Sequence, residues 1–241
     1  MEFDRLYITF DIDWADDDLL AFVLDLLDQY ACKATFFVTH DSPLIRQMKD
    51  DMRIERGIHP NFTPLLNAPA DACQATAEQI LTDLKATVPE AVSCRSHSLV
   101  SGTPLLRLSH GHGLLIDSNI YIPCREVPCI RPWRFWTDTL LVPFIWSDYI
   151  DLLHHGDADA ARVLRAANTV RVVAFHPIHV YLNTCTLDQY AQFKRSGLTP
   201  KQARSRLPRR GPGAGDVFCR LLDAAAAESI QTGLLCDLLD E

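Results

Sequence analysis

A strand, a capped amphipathic helix and a second strand follow one another within residues 6–39, and that order commits the chain to a parallel sheet. Leu6 to Phe10 and Ala34 to Thr39 are short, apolar, β-prone runs of strand length. Between them Asp16 is placed to cap a helix, with Asp17 and Asp18 in its first turn where the macrodipole favours acids. Leu19, Leu20, Val23, Leu26, Leu27 and Tyr30 then recur at helical spacing and give that helix one apolar face.

The alternation continues. Strands are expected near Ile58, at Ala91 to Cys94, Leu114 to Asp117, Leu140 to Trp146 and Val170 to Phe175. Helices are expected at Asp71 to Val88, Asp157 to Asn168 and Gly215 to Ser229, and long loops at Ile120 to Trp136 and Leu198 to Gly215. Repeated strand–helix units predict an α/β fold, a barrel or an open doubly wound sheet. No GxGxxG or GxxxxGK[ST] pattern supports a nucleotide fold.

With 241 residues, 48% of them hydrophobic, the chain can bury roughly 70% of its unfolded surface without disulfide staples. No apolar run reaches the ~18 residues of a membrane span, and the acidic start (Glu2, Asp4) predicts no secretory signal. The 8 cysteines (32, 73, 94, 124, 129, 185, 219, 236) form no CxxC pair and predict reduced thiols in a cytosol. Cys124 and Cys129 in a Pro-bearing loop lack zinc-ribbon spacing.

Net charge is −8, from 23 basic and 31 acidic residues. Lys194, Arg195, Lys201, Arg204, Arg206, Arg209 and Arg210 lie in a stretch with no acid, so the other 16 basic residues leave the body at −15. That body argues against nucleic acid as a partner. The basic stretch, about 194–214, reads either as a mobile, solvated loop or as an electropositive lip for a diphosphate-bearing ligand.

In a parallel barrel the chemistry gathers at the carboxyl ends of strands. Here those ends read Asp11-Ile12-Asp13-Trp14, His59-Pro60-Asn61, Arg95-Ser96-His97, Asp117-Ser118-Asn119, Ser147-Asp148 and His176-Pro177-Ile178-His179. Loops favour Asp and Asn in any protein, but His and Arg are not usual turn residues. Asp16 to Asp18 read as a helix start. Asp11 and Asp13, two apart, suit one carboxylate holding a cation while the other takes a proton. Neutral imidazole is a common metal ligand, although a lone His more often makes a structural hydrogen bond. Trp14 and Trp146 could stack on a ligand ring or pack in the core, and His110-Gly111-His112 reads as a solvated turn.

Thr9-Phe10-Asp11-Ile12-Asp13 followed by Lys33-Ala34-Thr35-Phe36-Phe37-Val38 resembles the opening of the NodB-type polysaccharide deacetylases, carbohydrate esterase family 4. Leu115 to Asn119 resembles that family's YDS segment. Gly57 to Phe62, Arg95 to Leu99 and Phe175 to Asn183 look most like its divergent WbmS-type branch, encoded in bacterial surface-polysaccharide (O-antigen) loci. The resemblance runs thinly from about residue 6 to 180.

It implies a distorted (β/α)7-type barrel in a single domain over 1–241, and metal-dependent removal of an N-acyl group from an amino sugar or activated sugar precursor; the basic stretch would suit a nucleotide- or lipid-diphosphate linkage on that sugar. By motif position Asp11 matches the catalytic base, Asp13 and His59 metal ligands, and Arg95 the residue that orients the base. His176 or His179 falls where the family keeps its general acid, and Asp148 is a candidate for orienting that acid or binding sugar hydroxyls. The cofactor implied is a divalent ion, Zn2+ first. The family's second metal histidine is Thr63 here, and His97 is expected to replace it. Were the site decayed instead, the chain would be a carbohydrate-binding or complex-forming module.

Overall fold

The structure is a computed structural model and describes residues 4–67, 70–123, 129–206 and 211–240. Its frame is a parallel sheet. β1 (Leu6–Asp11) is followed by α1 (Asp17–Gln29) and β2 (Ala34–Val38), as the opening pattern predicts, with the Asp16 carboxylate accepting from Leu19 N. Then come α2 (Pro43–Gln47), β3 (Ile54–Ile58), α3 (Ala70–Thr87), β4 (Ser93–Cys94), α4 (Thr103–Gly111) and β5 (Ile116–Asp117). β6 (Trp133–Arg134), β7 (Leu140–Leu141) and β8 (Trp146–Ser147) precede β9 (Arg171–Phe175). The chain finishes with α5 (Pro177–Leu182), α6 (Leu187–Ser196), α7 (Pro200–Arg206), α8 (Ala214–Ala227) and β10 (Thr232–Gly233).

The sheet order β6-β7-β5-β4-β3-β2-β1-β9-β8 hides a closure. β7 and β8, far apart in that order, belong to one extended segment, 140–147. Leu140, Val142 and Phe144 donate to the carbonyls of Leu115, Asp117 and Ile120 on one side, while Ile145 donates to Val172 on the other. The expected single strand at Leu140 to Trp146 is thus split, with Pro143 unable to donate a ladder bond. The split lets the segment turn from β5 to β9 and join the sheet's ends. β1, β2, β3, β4, β5, the 140–147 segment and β9 follow one another around the distorted barrel.

Along β1 the side chains alternate. Phe10 joins Phe36, Phe175 and Phe218 of α8 in an aromatic cluster, with ring centroids 4.9, 6.2 and 5.5 Å from it. The opposite face carries Thr9 and Asp11, which meet Arg95 in a polar network. Period-two alternation therefore separates packing from chemistry on one strand.

Three expectations need correction. The helix expected at Asp157 to Asn168 is only a 3-10 turn, Ala160–Arg165, preceded by a π-helix, Asp148–His154. Residues 200–206 are not loop, because α7 occupies Pro200–Arg206, and Lys194 and Arg195 end α6. Arg204 there lies over the rings of Phe22 and Tyr181 at 4.3 and 4.6 Å and packs instead of forming a lip. His110 and His112 are not in a solvated turn: they close α4 and contact Thr139 and Glu78 at 3.2 and 3.0 Å. Cys124, Arg209 and Arg210 lie outside the described residues, and Cys129 is an exposed free thiol.

Candidate active site

Asp11 closes β1, and the backbone then turns sharply through Asp13 (φ 42°) and Trp14 (φ 58°), consecutive residues in left-handed conformation. Such strain in non-glycine residues persists only where the surroundings hold it. Trp14 N donates to Thr39 Oγ1 at 3.1 Å and Ala15 N to the Ile12 carbonyl at 2.7 Å. The turn brings Asp13 against two imidazoles. His59, just past β3, puts Nε2 3.3 Å from Asp13 Oδ1, and His97, just past β4, puts Nδ1 2.9 Å from the same oxygen. A second left-handed pair, Ser98 (φ 56°) and Leu99 (φ 55°), follows His97 at once.

The three donor atoms lie within 4.8 Å of one another. One carboxylate oxygen and two imidazole nitrogens at these separations fit a divalent ion of the zinc kind, whose bonds are about 2.0–2.2 Å. Burial alone would raise the Asp13 pKa. The hydrogen bonds with His59 and His97 outweigh it and hold the carboxyl well below the usual range, while the bond to Asp13 raises His97. Thr63 does not take part. Its hydroxyl donates to Asn61 Oδ1 at 2.6 Å and begins a 3-10 turn, Thr63–Asn67. Beside the cluster His59 Nδ1 is buried without a partner in the described structure.

Arg95 is fully buried in the barrel. It donates to Asp11 Oδ1 at 3.0 Å, to Thr9 Oγ1 at 2.8 Å and to the Ser118 carbonyl and hydroxyl at 2.9 Å each. Phe37 and Phe144 sandwich its guanidinium at 4.6 Å. These contacts fix Asp11 Oδ1 and leave Oδ2 facing His176 across 4.0 Å.

His176 follows β9, where Pro177 starts α5, a position that needs no N–H donor. The Asp148 carboxylate accepts from His176 N at 2.7 Å and from its Nδ1 at 2.8 Å. This double contact fixes the ring with Nε2 toward Asp11 and Asp13, at 4.0 and 3.8 Å. Burial disfavours the imidazolium, but Asp148, Asp13 and Asp11 outweigh it and raise the pKa to about 9. Asp148 itself is aimed by the π-helix, a wide turn typical of functional sites.

His176, not His179, therefore faces the two carboxylates. His179 sits one turn further along α5, buried, and its ring contacts His176, Tyr149 and Tyr190. Burial pushes its pKa down to about 4, so it is neutral.

The two carboxylates and four imidazoles open on one cavity of about 460 Å³, with Arg95 and Asp148 buried behind them. Its walls include Asp11, Asp13, His59, His97, His176 and His179. Tyr149 and Tyr190, which the sequence did not single out, also line it, as does Lys194 from the basic stretch. Thr186 and Gln189 form the start of a capping-box pattern that signals α6, the helix carrying Tyr190 and Lys194. Of the two tryptophans weighed above, Trp146 is core, against Phe175 at 5.1 Å, whereas Trp14 is half-exposed and edge-on to His97 at 5.3 Å.

Among known proteins, residues 8–194 match the family described as WbmS-like polysaccharide deacetylases. The crystal structure of WbmS from Bordetella bronchiseptica, assigned as a polysaccharide deacetylase involved in O-antigen biosynthesis, is 34% identical. It aligns with a TM-score of 0.81 over 92% of this chain and 91% of that one. Two more distant structures share the fold. The Bc1960 peptidoglycan N-acetylglucosamine deacetylase is 13% identical with a TM-score of 0.56, covering 97% of this chain and 87% of its own. Peptidoglycan deacetylase PdaC from Bacillus subtilis is 12% identical with a TM-score of 0.53, covering 98% and 90%. No curated protein matches the chain.

Proposed function

Because the chain belongs to the WbmS-like polysaccharide deacetylase family, we propose that it removes an N-acyl group from an amino sugar of a bacterial surface-polysaccharide precursor. The assignment of the Bordetella protein to O-antigen biosynthesis supports that setting. So does the basic surface left by Lys194, Arg195, Lys201 and Arg206, which suits a sugar carried on a nucleotide or lipid diphosphate. A cytosolic reaction, as the cysteine usage suggests, belongs to the same reading, and no described helix is long and apolar enough to cross a membrane.

The observation that carries the reading is convergence. The ends of β1, β3, β4 and β9 deliver Asp11 and Asp13, His59, His97 and His176 to one cavity. Asp13, His59 and His97 would hold a divalent ion. When bound, such an ion polarises the amide carbonyl and lowers the pKa of water. Asp11, tethered at Oδ1 by Arg95, takes the proton of the attacking water on Oδ2. His176, its Nδ1–H donated to Asp148, gives the Nε2 proton to the leaving nitrogen as the C–N bond breaks. The products are the free acid and the sugar amine.

The test is metal content by plasma mass spectrometry on protein purified without a histidine tag. The wild type should carry about one divalent ion per chain, and Asp13→Ala, His59→Ala and His97→Ala should each lose it. A His97→Ala protein that keeps its full metal content would remove His97 from the site. Wild-type protein that takes up no metal even on reconstitution would end the hydrolase reading.

A further inference from the structure

The charged groups that line the cavity have partners in it or just behind it, with one exception. Asp11 meets Arg95, and Asp13 meets His59 and His97. Lys194 is the permanent cation of the lining, and it has no carboxylate partner among the described residues. It is not simply a solvated lysine at a helix end. Leu187, Tyr190, Ala191 and Lys194 all line the cavity and lie at i, i+3, i+4 and i+7 on α6, so one face of that helix is the cavity wall. The Lys194 ammonium sits 4.6 Å above the Tyr190 ring, a cation–π contact that holds it at the cavity mouth. Tyr190 in turn meets His179 edge-on at 4.5 Å, and Tyr149 stacks on His179 at 6.4 Å and 18°.

His179 is the second, independent sign of a ligand. It lines the cavity and is 2% exposed, and its Nδ1 has no hydrogen-bond partner among the described residues. A buried polar atom left unpaired costs free energy unless something else satisfies it. His176 already occupies the position facing Asp11 and Asp13, which leaves His179 free for another task.

We propose that Lys194, Tyr190 and His179 form a subsite for an anionic group on the substrate, either a carboxylate on the sugar ring or a phosphate on the anomeric carbon. This rests on the amino-sugar reading above and narrows it, because neutral N-acyl sugars leave Lys194 and the buried imidazole unanswered. The chain as a whole, net −8, gives no long-range attraction for anions, so selection for the charge is local and made by this wall.

The experiment compares deacylation of one N-acetylhexosamine as its neutral methyl glycoside, its uronate and its anomeric phosphate, by wild type, Lys194→Gln and Lys194→Arg. At low salt, kcat/KM for one of the anionic forms exceeds that of the neutral glycoside by about tenfold, the size of a favourable charge-assisted contact. Lys194→Gln removes that preference and Lys194→Arg keeps most of it. The anion that shows the preference identifies its source. Equal kcat/KM for the three compounds in wild type, or a preference that survives Lys194→Gln, overturns the proposal. Calorimetric titration of the same compounds reads the subsite without turnover. Anion-selective binding lost in Lys194→Gln then supports the subsite even if no compound is hydrolysed, an outcome that would count against the hydrolase reading alone.

Discussion

The two halves of the barrel are held in different ways. β1 has 6 residues and β2, β3 and β9 have 5 each, so parallel ladders along their length fix their positions. β4, β5, β7 and β8 have 2 residues each, too few for a ladder to set a side chain's place. There, buried side chains do the work. Arg95 spans to Ser118, Thr9 and Asp11, while Asn119 accepts from Ser96 N and Oγ and donates to Asp117. The site straddles the seam. The ladder half brings Asp11, Asp13, His59 and His176, and the network half brings Arg95, His97 and Asp148. A short strand can carry chemistry if a polar network substitutes for the missing ladder bonds.

The largest effect expected from breaking this contrast is at Arg95. Arg95→Met removes the cation and leaves Asp11 buried with only His176 facing it at 4.0 Å, a change expected to destabilise by about 3–5 kcal/mol. In the ladder half, Ile8→Val trims a fully buried side chain and is expected to cost only about 0.5–1.5 kcal/mol. Urea unfolding of both variants measures the difference. If Arg95→Met costs no more than Ile8→Val, the network is not what holds the short strands.

The same contrast explains what could be read in advance. β1, α1 and β2 were legible because an acid cap, a helical apolar stripe and β-prone runs all agreed. Asp11, Asp13, His59, Arg95 and His176 were legible because strand ends gather chemistry and the motifs stand in register with them. α6 was missed because its apolar stripe, Leu187, Tyr190 and Ala191, is short and none of its residues is fully buried. The π-helix that aims Asp148 has no sequence signature of its own, since its wide turn depends on what Asp151 meets: Ser147 N donates to Asp151 Oδ2 at 2.8 Å and the Tyr121 hydroxyl to its Oδ1 at 2.9 Å. Which of His176 and His179 faces the carboxylates could not be read from the sequence either, because it turns on where α5 begins at Pro177 and on a carboxylate 28 residues away.

A smaller effect lies where the halves join, at the single register pair Ile58↔Cys94. A Cβ on Gly57 would sit 2.5 Å from Ser93 Oγ, 2.8 Å from Phe37 Cδ1 and 2.9 Å from the Ser93 carbonyl. Backbone and ring must both move, so Gly57→Ala is expected to cost about 1–3 kcal/mol, as overpacking usually does. A thermal midpoint unchanged from wild type would mean β3 and β4 separate easily, and that the seam is looser than its contacts imply.

The smallest effect concerns Glu55, which ties the seam together from inside. Its carboxylate accepts from Thr35 Oγ1 on β2 at 2.7 Å, from Ser93 Oγ on β4 at 2.6 Å and from Cys236 N near the C-terminus at 3.0 Å. Burial raises its pKa, and those three donors only partly offset the shift. The folded protein thus holds the proton more tightly than the unfolded chain. As pH rises from the unfolded carboxylate pKa of about 4.3 through the raised folded value, the native state must ionise a buried acid and stability falls. Glu55→Gln cannot ionise, so the difference in urea midpoint, variant minus wild type, should climb with pH across that window and level off above it. A difference that stays flat would mean the three donors compensate the charge fully. The seam would then be held by an ionised carboxylate as firmly as Arg95 holds the network half.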